Sequence, residues 1–541
     1  MKPRVLISAL GLALATTGAQ AFQPRPPQLS LEVIGTHQTG VFDEGAAEIL
    51  AHDPRTQRLF VINADAATVD VLDINDPANP MLIGTLDATL LGNGANSVAV
   101  HKGLVAVAIE ADDTQAPGRV AFYDATDLTL IDSVEAGALP DMVTFTPNGR
   151  YVLVANEGEP NDDYTVDPEG SISVIDLRHG VQHASIRTAD FTAYNGREDE
   201  LRAAGVRIFG PNASVAQDLE PEYITVSRNS RFAWVSLQEA NALAVVHVPS
   251  ARVIDIQPLG TKDHSLVGNE LDASNRDGGI NLANWPVQGM YMPDAIDSYR
   301  FRGRTYIVTA NEGDSRDYDG FSEEVRIKDL TLDPNVFPDA AELQQDENLG
   351  RLKTTTANGD TDGDGDFDEL YSYGARSFSI RDAYGNLIHD SGSDFEVITA
   401  MELPAEFNSN NDENDSFDSR SDDKGPEGEG VTLGRIQGRT YAFIGLERIG
   451  GIMVYDVTNP RRVRHVDYVN NRDFGVDAEN PDDSTNPLVG DLGPEGLIFI
   501  PAHQSPNRVP LLVVGNEVSG TTTVFQINAE RSRRPFWRFW R

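Results

Sequence analysis

The chain has 541 residues, no cysteine, and 84 Asp and Glu against 43 Lys and Arg, a formal net charge of −41. So negative a field argues against nucleic acid or an anionic membrane as partner and favours cations. A hydrophobic content of 40% suffices for a globular core, and rigidity has to come from sources other than disulfides.

At the N-terminus, Lys2 and Arg4 precede an apolar run at 5–15, and Ala19-Gln20-Ala21 has the small-x-small pattern of a cleavage site. Residues 1–21 read as a secretory signal, so the mature chain is expected outside the cytoplasm: periplasmic, secreted or associated with the cell surface. The apolar run is too short for a stable bilayer span, and no later stretch is long and apolar enough to make one. Residues 22–30 form a Pro-rich lead-in.

A strand motif then recurs. YVLVANEG at 151–158 returns as YIVTANEG at 306–313 and LLVVGNE at 511–517, with weaker copies ending at Ala64, Glu110, Glu239 and Glu447. Of seven copies, six end in glutamate. The first three copies end 46 and 47 residues apart, a period that suits a four-stranded propeller blade. In the third copy, a strand at 142–146 leads through the turn-forming Pro147-Asn148-Gly149-Arg150 into the motif, and SISVIDL at 171–177 follows as a third strand. Similar third strands fall at 68–74, 119–125, 243–248, 451–457 and 522–527, all with apolar and polar positions alternating. Helical periodicity is scarce, with one short helix expected at 198–204.

The chain ends complement each other. Residues 31–40 read as a fourth strand, and the last copy lacks one. The expected fold is therefore all-β: a seven-bladed β-propeller over residues 31–528 whose N-terminal strand closes the last blade, removing two open sheet edges. Acidic, loop-like insertions at 190–217, 260–288, 313–424 and 471–491 are expected to gather on one face of the disc, where function usually lies.

That topology sets a second group of acids beside the first. Glu48, Asp141, Glu220, Glu222, Asp294, Glu427, Glu429 and Glu495 precede first strands, facing Glu110, Glu157, Glu239, Glu312, Glu447 and Glu517 at one channel mouth. Carboxylates so crowded need cations or arginines among them, because repulsion otherwise raises their pKa values. An all-oxygen donor set favours calcium over zinc. From the mouth, Glu157, Glu222, Asp294, Glu312, Glu427, Glu495 and Glu517 are candidate metal ligands. The bland alternative is that these acids cap strands in a very acidic protein.

The clearest local motif runs from Asp360 through Asp362, Asp364, Asp366 and Asp368 to Glu369. Oxygens at alternate positions, with glycine permitting a sharp bend, can wrap one calcium ion. Tyr371 stands where an EF-hand would place its bidentate glutamate, so the expected site is a structural calcium loop of another kind. A dense polar patch at 408–429 brings Arg420, Asp422, Asp423 and Lys424 next to Glu427. With Glu312 and Arg316, the residues Arg420, Lys424 and Glu427 are candidate catalytic groups, able to hold a phosphate ester over bound calcium. There is no GxSxG elbow, HExxH, Walker loop or strand-borne GxGxxG, and the histidines show no metal-ligand pairing. The final RSRRPFWRFWR (residues 531–541, within a tail at 529–541) reverses the charge of the chain.

Four stretches carry a family resemblance: YIVTANEGDSRDY at 306–318, GDTDGDGDFDELYSYGARSFSIRD at 359–382, FDSRSDDKGPEGEGV at 417–431, and GPEGL with GNE at 493–497 and 515–517. On them the chain resembles the choice-of-anchor I family of secreted bacterial β-propellers, related to a mesenchyme-specific cell-surface glycoprotein, over roughly residues 31–528. It departs from the family's anchoring signals, having neither an LPxTG-type motif nor a hydrophobic tail. The Pro-Glu-Gly and Asn-Glu elements are similar to those of calcium-dependent propeller phytases, and some family members carry alkaline phosphatase labels. The resemblance implies a phosphoric ester hydrolase, although fold alone does not give activity. Two functions stay open: a calcium-dependent phosphoesterase, or a non-catalytic calcium-stabilised scaffold that binds envelope or matrix components.

Overall fold

A computed structural model describes residues 29–529; the expected signal segment and basic tail lie outside them, as does most of the lead-in. Among the described residues, seven sheets each contain four antiparallel strands. Numbered in chain order, sheets 1 to 7 span residues 50–87, 94–138, 140–190, 224–258, 296–390, 428–469 and 494–529. The first six are meanders in which each strand pairs with the next in sequence. Sheet 7 takes its fourth strand from the other end of the chain: Leu29–Gln38 pairs with Thr521–Ala529, with Leu31 opposite Ile527. No sheet closes on itself by hydrogen bonds among the described residues.

The sheets pack face to face. Second and third strands are buried on both faces, as in Tyr151–Asn156 and Ser171–Asp176; the second strands read as nearly continuous apolar runs, whereas the alternating third strands bury their small polar residues as well. A separate hydrophobic cluster fills each gap between neighbours. Leu153 and Val174 of sheet 3, for example, meet Val235 and Val246 of sheet 4. The last gap is filled too, since Leu59 and Leu72 of sheet 1 pack on Leu511 and Val513 of sheet 7. First strands contact one another all the way round, from sheet 1 to sheet 7 and back to sheet 1.

The turn after Pro140–Phe145 shows how the short connections form. Asn148 Oδ1 accepts from Arg150 N at 2.9 Å, and Gly149 takes the positive φ (66°) that an L side chain resists.

Two expectations about the insertions need correcting. The segment 313–424 is not mainly loop. It holds the third and fourth strands of sheet 5, Ser377–Asp382 and Leu387–Asp390, and the helix Asp394–Glu402. The alternation in SFSIRD, which buries Phe378 and Ile380 against sheet 6, is the signal that marks this strand. The insertion at 260–288 supplies Thr261–Asp263, which joins Gln288–Met290 and Tyr371–Ser372 in a small extra sheet. The helix expected at 198–204 is present as Glu198–Ala204.

Candidate functional site

At one end of the sheets, the residues before first strands and after second strands line a cavity of about 620 Å³. Its walls carry Glu48, Glu110, Asp141, Glu157, Glu222, Asp294, Glu312, Asp314, Glu429 and Glu495. At its first strand sheet 2 contributes Asn93, Asn96 and Ser97 where other sheets place an acid, and after the second strand of sheet 1 Ala64 replaces the repeat glutamate.

The Asn-Glu-Gly motif explains how each glutamate is aimed. Asn156, Asn311 and Asn516 are completely buried at second-strand ends. Asn311 Nδ2 donates to Ser377 Oγ (3.1 Å) and Ser379 Oγ (2.8 Å); Asn156 Nδ2 donates to Ser173 Oγ (2.9 Å), and Asn516 Nδ2 to Thr521 Oγ1 (3.0 Å). The asparagine thus ties the second strand to the third, fixing where the next residue leaves the sheet. Gly313 then turns with φ 93°, and a Cβ there would lie 2.0 Å from Gly374 N.

The doublets Glu220/Glu222 and Glu427/Glu429 divide their work. Glu222 and Glu429 face the cavity. Glu220 instead pairs with Arg316 at 2.9 Å, and Glu427 accepts Arg420 (2.6 Å), Arg448 (2.9 Å) and Lys424 (3.3 Å). Glu427 is held well below the usual carboxylate range: burial opposes ionisation, but Lys424, Arg420 and Arg448 overcome it.

Arg316 is 1% exposed and also pairs with Asp218, its guanidinium lying 4.7 Å from the centre of the Phe209 ring. Its charge therefore serves buried carboxylates. Lys424 sits nearer the cavity, 2.8 Å from Glu312. The sequence reading missed Arg448, which also reaches Glu447 at 3.0 Å. Its only signal was an arginine directly after a repeat glutamate.

The other cavity acids have no such neutralisation. Among the described residues, Glu48, Asp141, Glu157, Glu222, Asp294, Glu429 and Glu495 have no ion-pair partner within 4.0 Å. Burial raises Glu48 to about 8, with Glu517 and Asp141 adding repulsion. Burial and Glu159 raise Asp141 to about 7. Burial and surrounding carboxylates push Glu157, Glu222, Asp294, Glu429 and Glu495 well above their ordinary values. Oε2 of Glu222, Glu429 and Glu495 is buried without a hydrogen-bond partner, and Glu222 as a whole is 7% exposed. Buried oxygens of this kind call for a proton or a cation.

Three groups at the mouth have carboxylate oxygens within 4.8 Å of one another: Glu48–Glu495–Glu517, Asp294–Glu312–Glu429 and Glu312–Glu427–Glu447. Such groups are able to coordinate a metal ion. Among the described residues the first has no cationic side chain on it; in the second, Glu312 already accepts Lys424 (2.8 Å) and Gln238 Nε2 (3.0 Å) while Asp294 and Glu429 are unpaired, and the third holds Lys424 and Arg448.

The Asp360–Glu369 loop lies elsewhere and forms two groups sharing Asp368: Asp360 with Asp362, and Asp366 with Asp333. Gly363 N and Gly365 N donate to the Asp360 carboxylate at 2.7 and 3.1 Å, wrapping the loop around it. Asp364 accepts from Asp366 N at 3.1 Å, and Glu369 accepts the Tyr371 hydroxyl. Asp333 was not foreseen. An isolated bridge between Leu332 and Phe367 brings it to the loop.

Four-stranded sheets packed around an acidic cavity define an all-β protein of the β-propeller kind. The choice-of-anchor I domain profile matches residues 48–460, and the chain belongs to that family. Gigasin-3a of Magallana gigas is 34% identical over 190 residues, 34% of this chain and 66% of that protein. The mesenchyme-specific cell surface glycoprotein of Strongylocentrotus purpuratus is 30% identical over 285 residues, 46% of this chain and 36% of that one. This chain thus spans less than two thirds of either relative. Among solved structures, the WD40 domain of Toxoplasma gondii coronin aligns with a TM-score of 0.45 at 9% identity, over 94% of this chain and 89% of that one. Among the described residues no helix is long and apolar enough to cross a membrane.

Proposed function

We propose that the protein is a calcium-binding, seven-bladed β-propeller that works outside the cytoplasm, with residues 31–528 as the propeller and the N-terminal strand completing its last blade. The observation that carries the cation site is the set of buried, unpartnered carboxylate oxygens on Glu222, Glu429 and Glu495. Hard oxygen donors, several carboxylates to a group and a cysteine-free chain suit calcium. Asp294, Glu312 and Glu429 would hold one ion, and Glu48, Glu495 and Glu517 another. Glu157 and Glu222 would complete the shells through water. The Asp360–Asp368 loop with Asp333 is an accessory calcium site of structural role. In this reading the ions neutralise the mouth and lock neighbouring blades together, making a rigid scaffold for surface or matrix contacts.

A second reading, calcium-dependent phosphoester hydrolysis, is favoured by Lys424 beside Glu312 at the cavity rim. Bound calcium would supply charge neutralisation for a phosphoryl group. Lys424 would orient the ester's anionic oxygen on leaving Glu312, and Arg420 would keep Glu427 ionised as its counter-charge. Arg316, locked on Asp218 and Glu220, supports the wall. Hydrolysis of p-nitrophenyl phosphate and phytate, with calcium and then with chelator, tests this reading. Chelator-sensitive turnover that falls at least tenfold in Lys424→Met establishes the hydrolase; no turnover leaves the scaffold reading standing.

A further inference from the structure

At the end of the sheets opposite the acidic mouth, the sector between sheets 4, 5 and 6 has the reverse chemistry. In sheet 5 the strand Ile296–Phe301 begins beside Asp294 and turns at Arg302 and Gly303 into Arg304–Asn311, which ends beside Glu312. At roughly 3.3 Å per residue, the turn lies about 20 Å from the mouth. There, between the hairpin tips of sheets 4, 5 and 6, is a groove of about 630 Å³ with Arg228, Arg300, Arg302 and Arg435 on its walls. It adjoins a second hollow of about 490 Å³, sharing Phe301 and Arg302, where Arg304, Arg461 and Arg462 converge.

These seven arginines are exposed, and none has an ion-pair partner among the described residues. In a chain with about twice as many acids as bases, that is a selective exclusion of carboxylates. Asp297 is the one acid on the groove wall, and its oxygens accept Ser298 N at 2.6 Å and Leu433 N at 3.0 Å. The nearby Asp456 is taken by Arg439.

A second observation is independent of charge. Tyr299 lines the groove, is 9% exposed, and has a buried hydroxyl without a hydrogen-bond partner. Ser298, Thr305 and Thr440 add hydroxyls, that of Thr458 being taken by Asp456 (2.6 Å), and the Phe301 ring lies 5.1 Å from the Arg302 guanidinium.

We propose that this groove binds an acidic polysaccharide. Arginine forks match carboxylate and sulfate groups spaced along a chain. The serine and threonine hydroxyls suit sugar hydroxyls, and an aromatic wall suits a pyranose face. A lipid surface fits less well, because the aromatics are recessed in a concave wall where a bilayer would need protruding apolar side chains. The net negative charge does not forbid the contact: at 0.15 M salt the screening length is about 8 Å, less than half the distance to the acidic mouth. This inference does not rest on the calcium reading, which concerns the other face.

The test uses the full chain in 0.15 M salt with chelator present, measuring binding to heparin and to a polyuronate, with phosphatidylglycerol vesicles as a separate arm. The groove variant Arg228→Ser/Arg302→Ser/Arg435→Ser should bind either polysaccharide at least tenfold more weakly. A second variant at the other end, Arg304→Glu/Arg461→Glu, should weaken binding similarly, and both should retain the parent's unfolding temperature because the altered tips are exposed. Tyr299→Phe should weaken binding two- to fivefold. Neutralising Arg531, Arg533, Arg534, Arg538 and Arg541 to Ser should change it less than threefold. The proposal is overturned if groove variants bind as the parent does, if only the tail variant loses binding, or if vesicles are bound in preference to both polysaccharides.

Discussion

Removing divalent cations should make the protein less stable as pH rises, which is opposite to the behaviour of ordinary salt-bridged carboxylates. Glu48 has its carboxyl raised from 4.5 to about 8. A raised carboxyl contributes stability that is fully present below its unfolded pKa and is lost as pH climbs through the folded one, because the native state binds the extra proton. Between pH 4.5 and pH 8 this one group forfeits about 4 kcal/mol. Asp141, raised from 3.8 to about 7, acts in the same direction. For a chain of this length, with about 2 cal/mol/K of unfolding entropy per residue, 1 kcal/mol moves Tm by about 1 °C. With chelator, Tm should therefore fall by about 4 °C or more from pH 5 to pH 8. Calcium in the millimolar range should abolish most of that fall, since it binds the ionised ligands and a hundredfold excess over Kd adds about 2.7 kcal/mol. Scanning calorimetry at five pH values, with and without chelator, reads this directly. The variant Asp360→Asn/Asp368→Asn, which lacks the loop site, should keep the pH-dependent part. If Tm at pH 8 is the same with and without calcium, or if calcium acts more strongly at pH 5, the reasoning fails.

Three further outcomes are expected. Glu222→Gln removes an unpartnered buried carboxyl, so by thermal melts it should raise cation-free Tm at pH 8 while reducing the calcium-induced rise. Asn311→Ala breaks the buried hydrogen bonds to Ser377 and Ser379 and should cost about 2–3 kcal/mol in denaturant unfolding, with the buried Thr309 hydroxyl losing its acceptor. Arg316→Met strands Asp218 and Glu220 in the interior and should cost about 3–5 kcal/mol, read as lost soluble yield and a lower unfolding midpoint.

The repeat was legible because second strands are apolar on both faces and each ends at the same motif. The Val143–Val154 and Leu153–Val174 pairings follow directly from that pattern. The third strand of sheet 5 escaped because some 60 residues of insertion separate Gly313 from Ser377, and a regular spacing no longer pointed to it. The mouth was legible in outline, as a gathering of strand-end acids, but not in its division of labour. Glu427 and Glu429 share the parity that would put both on one face of a regular strand. The structure separates them with a positive φ of 51° at Glu427 and a register shift between Gly428 and Val431, and neither feature is written in the residue types. Arg316, Arg420 and Lys424 were visible as cations near the motif. That they spend their charge on Glu220, Glu427 and Glu312 depends on packing from distant loops. Asp333, brought to the aspartate loop through the Leu332–Phe367 bridge, had no local signal at all.

If the unneutralised carboxylates of the mouth hold calcium, removing two of them should cost the protein an ion. The decisive measurement is calcium content after gel filtration in a calcium-buffered solution at pH 7.5, for the parent and for Asp294→Asn/Glu429→Gln. The parent should retain at least one ion more than the variant, with the loop site unchanged in both; equal calcium content in the two proteins would mean that the mouth holds no ion on Asp294 and Glu429.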